Sequence, residues 1–239
     1  MTDFLLLHGS GTNAASWQCL RDVLVARGHV VIAPELPKQA AAWTLPDYAD
    51  CIGEAGAPAG TVAVDHSLSE VFLPLLPHVT DYSLLLFLAA VVPERGRSVR
   101  EQFTADPTMF SPQWIAAGQR WFDPAEAQGL AREFLFHDCD DATIRWATTT
   151  VEPYDSRQIV TEVSPLTEWP TVRSASIVAS SDRTLDPHWC RRISRRILGV
   201  EPIDIDGGHC PQIARPAALA DALQKLAGRS TLTDPLQYV

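Results

Sequence analysis

The 239-residue sequence predicts an α/β fold: a mostly parallel sheet of about six strands, with helices on both faces and a helical cap inserted into it. Three observations predict it. Short apolar runs without polar alternation recur along the chain, as expected of strands buried on both faces. Segments with helical spacing separate them, as the crossovers of a parallel sheet require. From Glu94 to about Pro170 the strand signals stop and helical patterns succeed one another, which marks an insertion. Residues 1–239 are therefore read as a single domain, with core 1–93 and 171–228, cap 94–170 and a loosely held tail 229–239.

Phe4-Leu5-Leu6-Leu7 is the first strand, ended by the glycine-rich His8-Gly9-Ser10-Gly11. A helix comes next, from about Ala15 to Arg27, with Trp17, Leu20, Val23 and Leu24 on one face and Gly28 as its stop. Val30-Val31-Ile32-Ala33 is a second buried strand closed by Pro34, and 36–42 is a loop. Leu45–Ile52 reads as a helix, because Thr44 can cap it and Pro46 suits its first turn. The third strand is Thr61–Val64, and the helix expected after Ser67 should be bent or shortened by Pro74 and Pro77. Ser83–Leu88 is the fourth strand. Within the cap, Trp114–Trp121, Pro124–Phe136 and Asp141–Thr149 carry helical patterns; its tryptophans (Trp114, Trp121, Trp146, Trp169) serve packing, with some expected to line an apolar pocket. Alternation resumes with strand Ser176–Ala179, helix Pro187–Leu198, strand Val200–Ile205 and helix Pro216–Ala227.

Composition removes several function classes. Hydrophobic residues make up 46%, an ordinary globular share, and the chain should bury roughly 70% of its unfolded surface. A formal charge of −10 argues against nucleic acid and anionic membrane surfaces as partners. Cys19, Cys51, Cys139, Cys190 and Cys210 are odd in number and scattered, which fits reduced thiols in a cytoplasmic protein. The N-terminal residues lack a signal-peptide pattern, and no apolar run approaches the ~20 residues of a membrane span. The expected partner is a small molecule. Oligomeric state is not legible.

Chemistry concentrates at Thr61–Leu73. A β-branched run stops at Asp65-His66, and an apolar segment begins after Ser67. That is a strand turning sharply with a serine at the corner, the construction of a nucleophile elbow. In the G-x-S-x-G pattern both glycine positions are filled, by Asp65 and Ser69. A serine needs a base, and the base an orienting acid. Ser67, Asp182 and His209 each come just after a strand, in that order, so all three converge on one sheet edge. Asp186, Asp204 and Asp206 compete for the acid position; Asp182 is preferred because Asp186 suits a helix N-cap and the other two lie close to His209 in sequence. The backbone N–H groups of Leu68 and Ser10 are placed to serve a developing oxyanion. Ser67 as an ordinary N-cap and His209 as a satisfied loop histidine are the competing readings. His8 and His66 are read as structural. His137-Asp138-Cys139-Asp140-Asp141 holds metal-ligand residue types, but adjacent residues converge poorly on one ion, so a helix boundary explains the run better.

His8-Gly9-Ser10-Gly11, Gly28–Pro34, His66-Ser67-Leu68 with Pro74, Phe87–Pro93, Ser181-Asp182-Arg183 and Gly207–Pro211 together resemble an α/β-hydrolase of the small esterase type. That group includes plant methylesterases, hydroxynitrile lyases and actinobacterial carboxylesterase-like proteins. The resemblance spans the chain except parts of the cap and the tail. It implies a Ser67–His209–Asp182 triad, no cofactor, and a small ester, thioester or related carbonyl substrate under the cap, cleaved through an acyl-enzyme. Two departures bear on this. Asp65 puts a potentially buried carboxylate two residues before the nucleophile, which needs a proton or a partner and would oppose a second anion there. Cys210 stands where hydroxynitrile lyases of this type have lysine, which disfavours cyanohydrin cleavage. The alternatives are a lyase or cyclase of specialised metabolism using His209 for proton transfer, and a catalytically silent ligand-binding receptor.

Overall fold

The computed structural model describes residues 1–38, 43–153 and 157–228; the expected tail at 229–239 and part of the 36–42 loop lie outside them. Among the described residues six strands form one sheet in the order β2-β1-β3-β4-β5-β6: β1 Asp3–Leu7, β2 Val30–Ile32, β3 Val62–His66, β4 Leu84–Leu88, β5 Ser174–Ala179 and β6 Ile203–Ile205. Every neighbouring pair is parallel. The strand order reverses beside β1, so the carboxyl ends of β1 and β3 flank a crevice where ligands of open sheets settle. Register places Leu7 beside Asp65 and Asp65 beside Phe87.

Ten α-helices among the described residues accompany the sheet: α1 Gln18–Ala26, α2 Leu45–Gly53, α3 Val99–Ala105, α4 Pro112–Ala117, α5 Pro124–Leu130, α6 Asp141–Ala147, α7 Arg157–Thr161, α8 Pro187–Ile193, α9 Pro211–Ala214 and α10 Pro216–Ala227. On one face Phe4, Leu6, Val62, Val64, Leu84 and Leu86 pack against Trp17, Leu20 and Leu24 beside α1 and Leu219 and Leu223 of α10. On the other, Leu5, Leu7, Ala63, Leu85 and Phe87 meet Tyr48 and Ile52 of α2 and Trp189 and Ile193 of α8. The α2 start has the expected Thr44 cap, closed by Asp47 into a capping box.

Three expectations change. β2 is a partly exposed edge strand rather than a buried one, with Val30 46% exposed, because it pairs only with β1. The helix expected after Ser67 is replaced by two short 3₁₀ turns, Ser69–Val71 and Leu73–His78. Pro74 and Pro77 remove the donors that α-helical bonding needs there. The long cap helices are broken: α4 tightens into a 3₁₀ segment and α5 widens into a π turn over Ala131–Leu135.

The segment between β4 and β5 holds α3 to α7, helical as expected. Trp121, Phe134, Phe136 and Ile144 build its own apolar cluster, which reaches Cys210 and Ile213 at the start of α9. Backbone bonds tie it to the strand-end loops. Asn13 N–H donates to Thr150 and Glu152 N–H to Gly11, while Ser111 N–H donates to Thr184 and Asp186 N–H to Met109.

Candidate active site

The corner after β3 is a constrained turn of backbone. Ser67 has φ 68°, a left-handed conformation that costs a non-glycine residue about 1–2 kcal/mol. The end of β4 holds it there: Ser67 N–H donates to Leu88 (3.3 Å) and Val91 N–H donates to Ser67 (3.1 Å). Ala89, between those two partners, is itself left-handed at φ 48°, a second corner that no sequence signal marked. The loop after β1 closes the other side. A Cβ on Gly9 would lie 3.0 Å from the Ser67 Cβ and 3.2 Å from the His66 ring, so glycine is what permits the approach. Ser69, at a glycine position of the expected pattern, uses its hydroxyl productively: it donates to the His8 carbonyl at 2.5 Å and binds the two loops together.

Ser67, His209 and Asp182 come together in one chain of hydrogen bonds. Ser67 Oγ is 3.0 Å from His209 Nε2, and His209 Nδ1 is 2.7 Å from Asp182 Oδ2. The other Asp182 oxygen accepts from the N–H groups of Thr184 (2.7 Å) and Leu185 (3.1 Å), which aims the carboxylate. The competing acids are occupied elsewhere: Asp186 caps α8 through Trp189 N–H, Asp204 pairs with Arg191, and Asp206 accepts from Ser180. Gly207 has φ 129°, and the adjacent Gly208 N–H donates to Asp138 Oδ2 at 3.0 Å, so the His137-Asp138 turn of the helical block braces the His209 loop.

His66 supports His209 from below. Its buried Nε2 lies 2.8 Å from the His209 carbonyl and its Nδ1 3.4 Å from the Gln212 amide, an arrangement that suits a neutral ring donating through Nε2. Burial, together with the charge His209 can carry, holds His66 well below the ordinary histidine range. Its structural role, expected from the sequence, is to hold the His209 carbonyl, a partner that no local pattern reveals. His8 shapes its loop, accepting from Leu36 N–H at 3.0 Å.

Asp65 is fully buried on the opposite face of β3, between Leu7 and Phe87 in the sheet register. One oxygen accepts from His66 N–H at 2.7 Å; the other has no partner. Burial pushes its carboxyl well above the usual range, outweighing that single hydrogen bond and favouring the protonated form.

Two cavities meet at Ser67. A chamber of about 50 Å³ is lined by Gly9, Gly11, His66 and His209; one of about 310 Å³ is lined by Leu68, Val91, Phe103, Phe110 and Leu185. Ser10, Trp114, Trp121 and Thr184 border both, so two cap tryptophans do line a pocket. Trp169 instead packs against Phe87. No hydrogen bond among the described residues occupies the N–H of Ser10 or Leu68. No three His, Cys, Asp or Glu among the described residues are grouped to hold a metal ion. Asp140 caps α6 through Thr143 N–H, which accounts for part of the acidic run. No helix of the described residues is long and apolar enough to cross a membrane.

The profile of the alpha/beta hydrolase family matches residues 4–222. No curated protein sequence matches. Among solved structures, polyneuridine aldehyde esterase aligns at TM-score 0.74 and 18% identity over 95% of this chain and 99% of its own. The pyrethroid hydrolase PytH aligns at 0.71 and 20% over 95% and 97%, and the Arabidopsis methylesterase MES16 at 0.69 and 14% over 95% and 98%. At these identities the likeness speaks for the fold.

Proposed function

Because the chain belongs to the alpha/beta hydrolase family, we propose that it is a serine hydrolase cleaving a small ester or thioester through an acyl-enzyme on Ser67. The observation that carries this reading is the unbroken path from Ser67 Oγ through His209 to Asp182. In the proposed cycle Ser67 Oγ attacks the carbonyl carbon while His209 Nε2 takes its proton. Asp182 keeps the proton on His209 Nδ1 and stabilises the imidazolium. The oxyanion receives the N–H groups of Leu68 and Ser10. Collapse breaks the bond to the leaving group, which takes the proton from His209; a water, deprotonated by the same nitrogen, then attacks the acyl carbon, and the bond to Ser67 Oγ breaks as Oγ takes that proton back, freeing the acid.

The unequal chambers suit a small leaving group beside His209 and a larger apolar acyl group among the aromatic side chains. Burial favours the neutral form of Asp65, and a neutral acid there would add no anion beside Ser67 to oppose ester chemistry. None of the five cysteines is in a disulfide among the described residues, which supports a reducing, cytoplasmic setting.

A fluorophosphonate should add one covalent label that Ser67→Ala loses, and p-nitrophenyl acetate turnover should vanish with it. Labelling that persists in Ser67→Ala would reject the nucleophile. Substantial turnover by Ser67→Ala that His209→Ala abolishes would instead point to a lyase or cyclase.

A further inference from the structure

We propose that the acyl part of the substrate carries an anionic group, a carboxylate in the first instance, received by Arg100 at the solvent edge of the larger chamber. This deepens the ester-hydrolase reading and rests on it. Among the described residues lining that chamber Arg100 alone is charged; its neighbours there include Val99, Phe103 and Phe110. The guanidinium makes no ion pair or hydrogen bond among the described residues, whereas nearby Arg97 pairs with Glu94 and Arg95 donates to the Thr167 carbonyl.

Arg100 lies in the first turn of α3, whose free N–H groups and dipole favour negative charge, as Glu101 in the Ser98 capping box illustrates. A cation there gives up stability. An arginine without a partner among the described residues, on the rim of an aromatic cavity, is available to an anion that enters it. The chain's net charge of −10 would otherwise repel an anion. Arg100 is an exposed residue, so the anion it meets stays partly hydrated while the apolar body lies deeper and the ester reaches Ser67. The substrate class is a monoester of a dicarboxylic acid, or a comparable apolar acyl group ending in an anion.

The test compares p-nitrophenyl octanoate with mono-p-nitrophenyl suberate, equal in chain length and different in the terminal carboxylate. Wild type should favour the suberate ester in kcat/KM by about fivefold, the scale of one partly exposed ion pair. Arg100→Gln should erase that ratio chiefly through KM, Arg100→Lys should keep part of it, and added salt should shrink it. A ratio that Arg100→Gln leaves in place, or a wild-type preference for octanoate, overturns the inference. If neither ester shows Ser67-dependent turnover, the hydrolase reading fails separately. Arg100 is then judged by calorimetry of monomethyl suberate and methyl octanoate on Ser67→Ala, where equal affinities overturn it.

Discussion

On the sheet side of the site, each member of the proposed triad sits just past a strand: Ser67 after β3, Asp182 after β5, His209 after β6. On the helical side, the chamber walls come from short helices that tighten into 3₁₀ or widen into π turns and hold together by side-chain packing. A parallel ladder fixes position through backbone bonds that do not depend on side-chain identity. A packed helical block fixes shape through the side chains themselves. On the proposed reading, chemistry depends on the sheet half and selectivity on the helical half.

That division predicts where kcat and KM will respond. His209→Ala should lower kcat by about 10³-fold or more while the thermal transition stays close to wild type, since it removes a reacting group from a built scaffold. Trp121→Ala, on the helical side, should act mainly on KM and on stability. A kcat loss for Trp121→Ala equal to that of His209→Ala would break the division.

A second substitution probes the seam. Gly208→Ala would put a Cβ 2.5 Å from the His137 ring and 2.8 Å from Asp138 Oδ1, both belonging to the helical block, beside the His209 loop. Overpacking of this kind costs about 1–3 kcal/mol, and a small displacement of His209 should lower kcat by about tenfold. Measured on the His137→Ala background, the same change should cost markedly less in both melting and turnover. Equal losses in the two backgrounds would place the strain in the loop's own backbone instead.

The sequence showed the sheet, the insertion and the converging Ser67, Asp182 and His209, because apolar runs and strand-end loops are local patterns. It overestimated the helix after Ser67: Pro74 and Pro77 were visible as benders, but their joint effect, 3₁₀ turns in place of a helix, depends on how the segment packs. Three features had no local signal. Ala89 takes a left-handed corner between Leu88 and Val91, which bond the two sides of Ser67. His66 reaches the His209 carbonyl across 143 residues of sequence. Ser69 bonds a carbonyl 61 residues away, which turned an apparent defect in the elbow pattern into a fastening. Contacts of this range are products of the assembled fold, and spacing along the chain carries no trace of them.

Asp65 gives the prediction with the smallest effect on turnover, and it tests the apolar face of the sheet half. Its folded pKa is raised by burial above the unfolded value, so its contribution to stability is fully present below that unfolded value, near pH 4. As pH rises from there toward the folded pKa, the unfolded chain releases a proton that the folded chain retains. Stability then falls, by up to ~1.4 kcal/mol per pH unit from this one residue. Asp65→Asn keeps the shape and cannot ionise, so denaturation midpoints of wild type should decline relative to the variant across that range. A buried amide in place of the acid should change kcat/KM by less than about threefold, since Asp65 lies on the sheet face away from His66 and His209. Parallel stability profiles for the two proteins would mean that Asp65 ionises freely in the fold. A carboxylate would then stand two residues from Ser67, opposing the oxyanion, and relief of that repulsion should appear as a higher kcat in Asp65→Asn.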